Sequence, residues 1–168
     1  RHGAGPFVTQ DNSLNDYIIE KHNSVGSFQG TFRKGWLDLV AHKYAIEANG
    51  GIDALVISGL DQISEIENIK VCTSYSLPEE IIALKMFQRV HKYGHEIRLG
   101  DKYDLNSREK LTITLNSAVP NYQEFSISQH QSQSIREESI LGLISDRLDS
   151  KILLKSYGPS ATNKTIVC

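Results

Sequence analysis

Asp61 closes the segment Ser58-Gly59-Leu60-Asp61, which directly follows the short apolar run Ala54-Leu55-Val56-Ile57. In open α/β sheets ligands sit just beyond the carboxyl ends of strands, so an acidic side chain at that point is placed for binding. An ionised carboxylate accepts two parallel N–H bonds, which the N1 and N2 edge of guanine offers and adenine does not. Asp61 can therefore select guanine, or it can cap the helical turn that follows. A second apolar run, Lys151-Ile152-Leu153-Leu154-Lys155, ends in Ser156-Tyr157-Gly158-Pro159 and offers another strand tip.

Two glycine-bearing stretches could meet phosphate or another anion. Arg1-His2-Gly3-Ala4-Gly5-Pro6-Phe7 reads as a loop whose glycines permit close backbone approach. Val25 to Gly35 combines three glycines with Arg33 and Lys34 and reads as an anion-facing loop. Gly30 and Gly35 have the glycine spacing of a phosphate-binding P-loop. Trp36-Leu37 stands where that motif needs Lys and Ser or Thr, so the motif is excluded. His91 and His95 are four apart, but Gly94 interrupts a helix between them and no helical Glu accompanies them, so no metal site is assigned. Cys72 and Cys168 are too few for a disulfide framework or a four-cysteine zinc site, and Cys72 reads as inert core.

The elements that must carry these residues follow from periodicity. Leu37, Val40, Ala41, Tyr44, Ala45 and Ala48 recur at spacings of three and four, which predicts an amphipathic helix stopped by Asn49-Gly50-Gly51. Ala54 to Ile57 is predicted to be a strand buried on both faces. Ile69 to Tyr75 alternates as a half-buried strand. Pro78-Glu79-Glu80 predicts a helix start, with Ile82, Met86, Phe87 and Val90 as its apolar face and Gly94 as its end. Residues 97 to 109 read as charged and turn-like, and Leu111 to Leu115 as a strand. Gln129 to Ser134 reads as an exposed loop, and Ser134-Ile135-Arg136-Glu137 as the capping box of a last helix with Leu141, Ile144 and Leu148 inward. A buried strand is expected over 151 to 155. The class is α/β, with a mixed, largely parallel sheet and flanking helices.

At 168 residues the chain suits one domain that buries about two-thirds of its unfolded surface. A hydrophobic content of 39% and a charged content of 23% exclude disorder, and a formal charge of -2 excludes an electrostatic grip on nucleic acid. No apolar run approaches bilayer length, so no membrane partner is expected and the cytoplasm is the default location.

Five short segments fall in a telling order: Arg1 to Phe7, Arg33-Lys34-Gly35-Trp36-Leu37-Asp38, Leu60-Asp61, Val71-Cys72 and Ser156 to Pro159. They resemble the C-terminal third of adenylosuccinate synthetase, an enzyme family of purine biosynthesis. In that family GTP phosphorylates the 6-oxygen of inosine monophosphate (IMP), and L-aspartate then displaces the phosphate; Mg2+ is held near a P-loop. The resemblance implies that Gly59, Leu60 and Asp61, with Ser156, Tyr157, Gly158 and Pro159, frame guanine. It places Arg1 and His2 beside IMP, and Ser27, Gly30, Thr31 and Arg33 in a loop that closes over L-aspartate. The family's P-loop and its catalytic acid and base lie upstream of the matched stretch. No catalytic residue or metal ligand is therefore assigned here, and residues 1–168 are expected to form a C-terminal domain that is inactive alone. A homodimer is implied as well.

The departures are specific. Thr31 and Phe32 stand where the family has arginines, Phe28-Gln29 where it has threonines, Gly59 where it has Lys, and Tyr157 where it has Thr. A guanidinium fork on a carboxylate has no substitute in Thr or Phe, which places aspartate binding in question. Tyr157 adds a ring that can stack on a base or fill space. A noncatalytic nucleotide-sensing or protein-interaction module on the same scaffold is the alternative. The middle region, longer than its counterpart, is expected to add a helix or hairpin.

Overall fold

The computed structural model describes residues 1–18, 28, 30–78, 86–100, 105–130 and 132–167. The chain divides into two units, Arg1–Tyr44 with Val71–Gln123, and Ala45–Lys70 with Glu124–Cys168. The mixed α/β class expected from the sequence is the class observed, with its strands shared between two sheets.

In the first unit β1 (Leu37–Asp38) runs parallel to β3 (Asn68–Ser76), pairing Leu37 with Val71 and Asp38 with Cys72. β4 (Phe87–His91) and β5 (Gly94–Ile97) form an antiparallel hairpin, and β5 continues the sheet beside β3 through the Tyr75–His95 pair. β6 (Val119–Ser126) also pairs with β3. Neighbours on both sides make β3 interior: Val71, Cys72, Ser74 and Tyr75 are all buried, not the alternate residues alone. The core here joins Val40, Cys72, Tyr75, Phe87 and Ile97, with Leu111 and Leu115 packed against them.

Several expectations are corrected in this unit. The helix expected from residue 37 begins at Leu39 as α1 (Leu39–Ala48), because Leu37 and Asp38 are taken by the sheet. Asp38 caps α1, accepting the Ala41 N–H at 3.1 Å. Leu39 and Val40 are its buried residues, while Ala41 and Ala45 face outward. The expected helix start at Glu79 lies outside the described residues, and its expected continuation through Phe87 and Val90 is the β4–β5 hairpin. Leu111 to Leu115, expected as a strand, ends a helix, α2 (Leu105–Leu115). Its apolar residues alternate in sequence, yet Leu111 and Leu115 also stand one helical turn apart, and packing on the core decides between the two patterns.

In the second unit β7 (Ile152–Ser156) lies between β2 (Leu55–Ile57), parallel to it, and β8 (Lys164–Ile166), antiparallel. Gly50 and Gly51, both at positive φ, stop α1 and turn the chain toward β2 as expected. The expected double-sided burial of these strands is not found: β2 is an edge strand with Val56 62% exposed, and Leu153 of β7 is exposed as well. A one-turn helix α3 (Ile127–His130) precedes α4 (Gln133–Leu148), so part of the expected 129–134 loop is helical. The cap of α4 is Ser132, which accepts the Ile135 N–H at 3.3 Å, rather than Ser134. Ile140, Leu141, Ile144 and Leu148 turn inward. Among the described residues no helix is long and apolar enough to cross a membrane.

Candidate functional site

The parallel pairing of β2 with β7 sets Ile57 against Lys155, so the two strands end side by side and point the same way. The register continues one step into the loops, where the Leu60 N–H donates to the Ser156 carbonyl at 3.2 Å. Gly59, Leu60 and Asp61 are thereby brought against Ser156. Gly59 has φ +78°, and a side chain there would meet only Gln62 Oε1 at 3.9 Å. Conformation rather than space selects glycine, and a lysine at this position would be strained. Asp61 heads the 3-10 turn Gln62–Glu65, is exposed, and makes no side-chain capping bond. The capping role expected as one alternative is not observed, because Asp61 already has helical backbone angles (φ -63°, ψ -35°) and cannot fold its carboxylate over the turn.

The second tip is tightly bonded. Ser156 is buried, and its hydroxyl donates to the Gly158 carbonyl at 3.1 Å. The Tyr157 N–H donates to Asn163 O at 2.9 Å, and Lys164 Nζ donates to the carbonyls of Gly158 and Ser160 at 2.6 and 3.1 Å. A Cβ at Gly158 would stand 2.8 Å from Asn163 Oδ1, so glycine keeps the turn closed beside exposed Pro159. The Tyr157 hydroxyl donates to Glu137 Oε1 at 2.6 Å, and Lys155 Nζ reaches the same oxygen at 3.2 Å. Burial, and then Glu137, push the Tyr157 hydroxyl up to about 12, so it stays a donor at neutral pH. A polar recess of about 470 Å3 opens here, lined by Gln133, Ser134, Glu137, Glu138, Lys155 and Tyr157.

Sequence reasoning missed Arg136. It is 1% exposed, and its guanidinium donates to the carbonyls of Ile66 at 2.6 Å, Glu67 at 3.0 Å and Ile63 at 3.1 Å. Desolvation lowers its pKa from the usual value, and the three carbonyls supply the acceptors a buried guanidinium needs. A signal was present: Arg136, Ile140, Ile144 and Leu148 are spaced by four, so Arg136 continues the inward stripe.

In the first unit the expected substrate-loop residues Arg1, His2 and Arg33 come together. Arg1 and Arg33 exchange backbone bonds, N to O, at 2.7 and 2.8 Å. His2 packs edge-on to Phe32, and both guanidinium groups lie over the Phe7 ring. Arg33 donates to the carbonyls of Gly3 and Gly5 and to Gln10 Oε1, so most of its donors are spent inside the protein. Gly30 and Thr31 are exposed nearby in sequence, and Ser27 lies outside the described residues. An apolar cavity of about 490 Å3 opens between Phe7, Trp36, Tyr44 and Leu115, with Asp38 and Tyr75 in its wall. Tyr75 donates to Asp38 Oδ2 at 2.6 Å.

The two histidines four positions apart lie in the β4–β5 hairpin, not at a helix end. His91 Nε2 is 2.9 Å from Ser74 Oγ, and His95 is buried in β5. Among the described residues no three His, Cys, Asp or Glu side chains converge in a way that could hold a metal ion. Cys72 is 0% exposed, and burial pushes its thiol up to about 12, which makes it a poor nucleophile.

The sequence model of adenylosuccinate synthetase matches residues 1–98. The chain belongs to the adenylosuccinate synthetase family. Curated relatives include the adenylosuccinate synthetase of the organellar chromatophore of Paulinella chromatophora, 43% identical over 84 residues, which are 49% of this chain and 19% of that protein. The adenylosuccinate synthetase of Prochlorococcus marinus (strain MIT 9211) is 44% identical over 79 residues, 46% of this chain and 18% of the relative. The matched stretch thus spans less than a fifth of these relatives. A fully ligated adenylosuccinate synthetase from Plasmodium falciparum superposes with a TM-score of 0.67 at 22% identity, over 99% of this chain and 37% of that one. The synthetase fold therefore extends past residue 98, to the part that contains the Ser156–Pro159 tip.

Proposed function

We propose that this chain supplies the guanine-recognition part of a GTP-dependent ligase that joins L-aspartate to IMP. The observation that carries the reading is the parallel β2–β7 pair, which sets Asp61 and Ser156 to Pro159 at one end of one sheet. Asp61 accepts guanine N1–H and N2–H, and its exposure leaves both carboxylate oxygens accessible. Gly59, Leu60, Tyr157, Gly158 and Pro159 form the rim in the second unit, and in the first unit Arg1 and His2 are the residues proposed to contact IMP. Purine nucleotides and L-aspartate are the partners on this reading, and the cytoplasm is the setting. Magnesium assists phosphoryl transfer when bound, and on the resemblance it is held near the family's P-loop, with no ligand assigned to this chain.

The sequence carries no Walker-type phosphate loop, and the family's acid and base lie upstream of the matched stretch, so on this reading the chain on its own has no ligase turnover. A steady-state assay with GTP, IMP, L-aspartate and Mg2+ is expected to give none, and turnover above background would overturn that part. Asp61→Ala is expected to weaken guanine-nucleotide binding about tenfold or more, since hydrogen bonds to a charged group contribute about 1.5–3 kcal/mol. Unchanged calorimetric affinity would remove Asp61 from the site.

A second reading, a noncatalytic nucleotide-sensing or protein-interaction module, draws on Arg33. Three of its hydrogen bonds go to Gly3, Gly5 and Gln10, and Thr31 and Phe32 offer no guanidinium to replace it. Guanine binding without L-aspartate binding, measured by calorimetry with the nucleotide present, would favour the module.

A further inference from the structure

We infer that Arg136 and Glu137, adjacent on the first turns of α4, are positioning residues that together set the spacing of the two strand tips. The inference rests on the guanine-site reading for its functional consequence, and on α4 for its geometry. Arg136 points inward and holds the segment that leaves Asp61: its three carbonyl acceptors are Ile63, within the 3-10 turn Gln62–Glu65, and Ile66 and Glu67, the two residues after it. The Ile63 and Glu67 carbonyls also take the backbone N–H groups of Ile66 and Ile127, so the planar guanidinium adds a second donor there and ties three carbonyls of one segment together. Glu137 points outward and holds the other tip, accepting from Tyr157 and Lys155 at one oxygen. Leu60 and Ile66, buried at 5% each, fix the loop between these grips.

The two side chains act on different loops yet hang on consecutive residues of one rigid sixteen-residue helix. Any shift of one tip against the other must therefore break a bond to α4 or move the helix. Tyr157, which stands where the family has Thr, supplies the tip's own bond in the second grip, beside that of Lys155, because its hydroxyl is carried out to Glu137 at the end of the ring. This gives the substitution a role: the ring is an arm to α4, and the guanine rim is held by the helix.

Hydrogen–deuterium exchange on the protein without nucleotide, together with calorimetry for GDP, tests this. Arg136→Lys keeps a charge but offers one ammonium for three carbonyls. Amides of residues 60–67 are expected to exchange at least tenfold faster, with those of β8 unchanged. Glu137→Gln is expected to accelerate residues 157–160 and leave 60–67 unchanged. Each variant is expected to weaken GDP at least fivefold without touching the base. Uniform acceleration across the unit in Arg136→Lys would make Arg136 a core residue only and overturn its part. If Arg136→Lys does not fold, Glu137→Gln decides alone, and unchanged exchange at 157–160 overturns the clamp. Absence of GDP binding by the unaltered protein would overturn the guanine-site reading, while the exchange pattern would still decide the clamp.

Discussion

At the scale of single residues, Asp61 and Asp38 show how differently two carboxylates of one chain are used. The place of Asp61 just past a strand was legible from the apolar run before it, and its side chain is exposed with no capping bond. Asp38 was legible only as part of a Gly-Trp-Leu-Asp string. Its burial, at 9% exposure, and its bond to Tyr75 depend on β3, which arrives more than thirty residues later. Desolvation raises the Asp38 carboxyl above its ordinary 3.8, outweighing the hydrogen bonds from Tyr75 and Ala41 that lower it. Its neutral form is thus favoured by folding. The stabilisation is present in full below the unfolded value and is lost as pH rises through the raised folded value. Asp38→Asn stays neutral at every pH and should remove this dependence. In urea unfolding, the stability of the variant relative to the unaltered protein is expected to increase from about pH 4 to about pH 7. A constant difference would contradict the assignment. Arg136 was legible in principle, because a charged residue in the register of an inward stripe must find acceptors.

At the scale of elements, periodicity worked where only one period fitted. The α1 stop at Asn49-Gly50-Gly51 and the strands at 55–57 and 152–156 follow from local pattern and turn chemistry. It failed where two patterns coexisted. Leu111-Thr112-Ile113-Thr114-Leu115 satisfies both a strand and a helix, and Met86, Phe87 and Val90 carry helical spacing although Phe87 to His91 pairs in a hairpin. In both cases distant partners decide, Tyr75 and its neighbours in β3, and a local window does not contain them. Gly35 is the element-scale residue whose choice is sharpest. A Cβ there would lie 2.5 Å from Phe7 Cζ and 2.6 Å from the Thr9 carbonyl, where the Gln10–Gly35 bridge joins the opening loop to β1. Gly35→Ala is expected to cost about 1–3 kcal/mol, the range for forcing an added group into packed surroundings. Chemical denaturation checks it, and a midpoint equal to that of the unaltered protein would show that the loop yields freely.

At the scale of the whole molecule, composition excluded a polyanion grip, and the family order of short motifs placed the chain among the synthetases before any coordinates. What the sequence left open was contact: whether residues nearly a hundred apart share one sheet end. The β2–β7 pairing supplies that contact within one unit. The central claim is that this sheet end reads guanine through the Asp61 carboxylate. Calorimetric titration with GDP, IDP and ADP tests it most directly, since IDP lacks only the N2 amine and ADP lacks both donors. The account predicts that GDP binds tightest, IDP about tenfold or more weakly and ADP weakest of the three, the step per charged hydrogen bond being about 1.5–3 kcal/mol. Equal affinities for the three nucleotides, or the same ranking retained in Asp61→Ala, would contradict it.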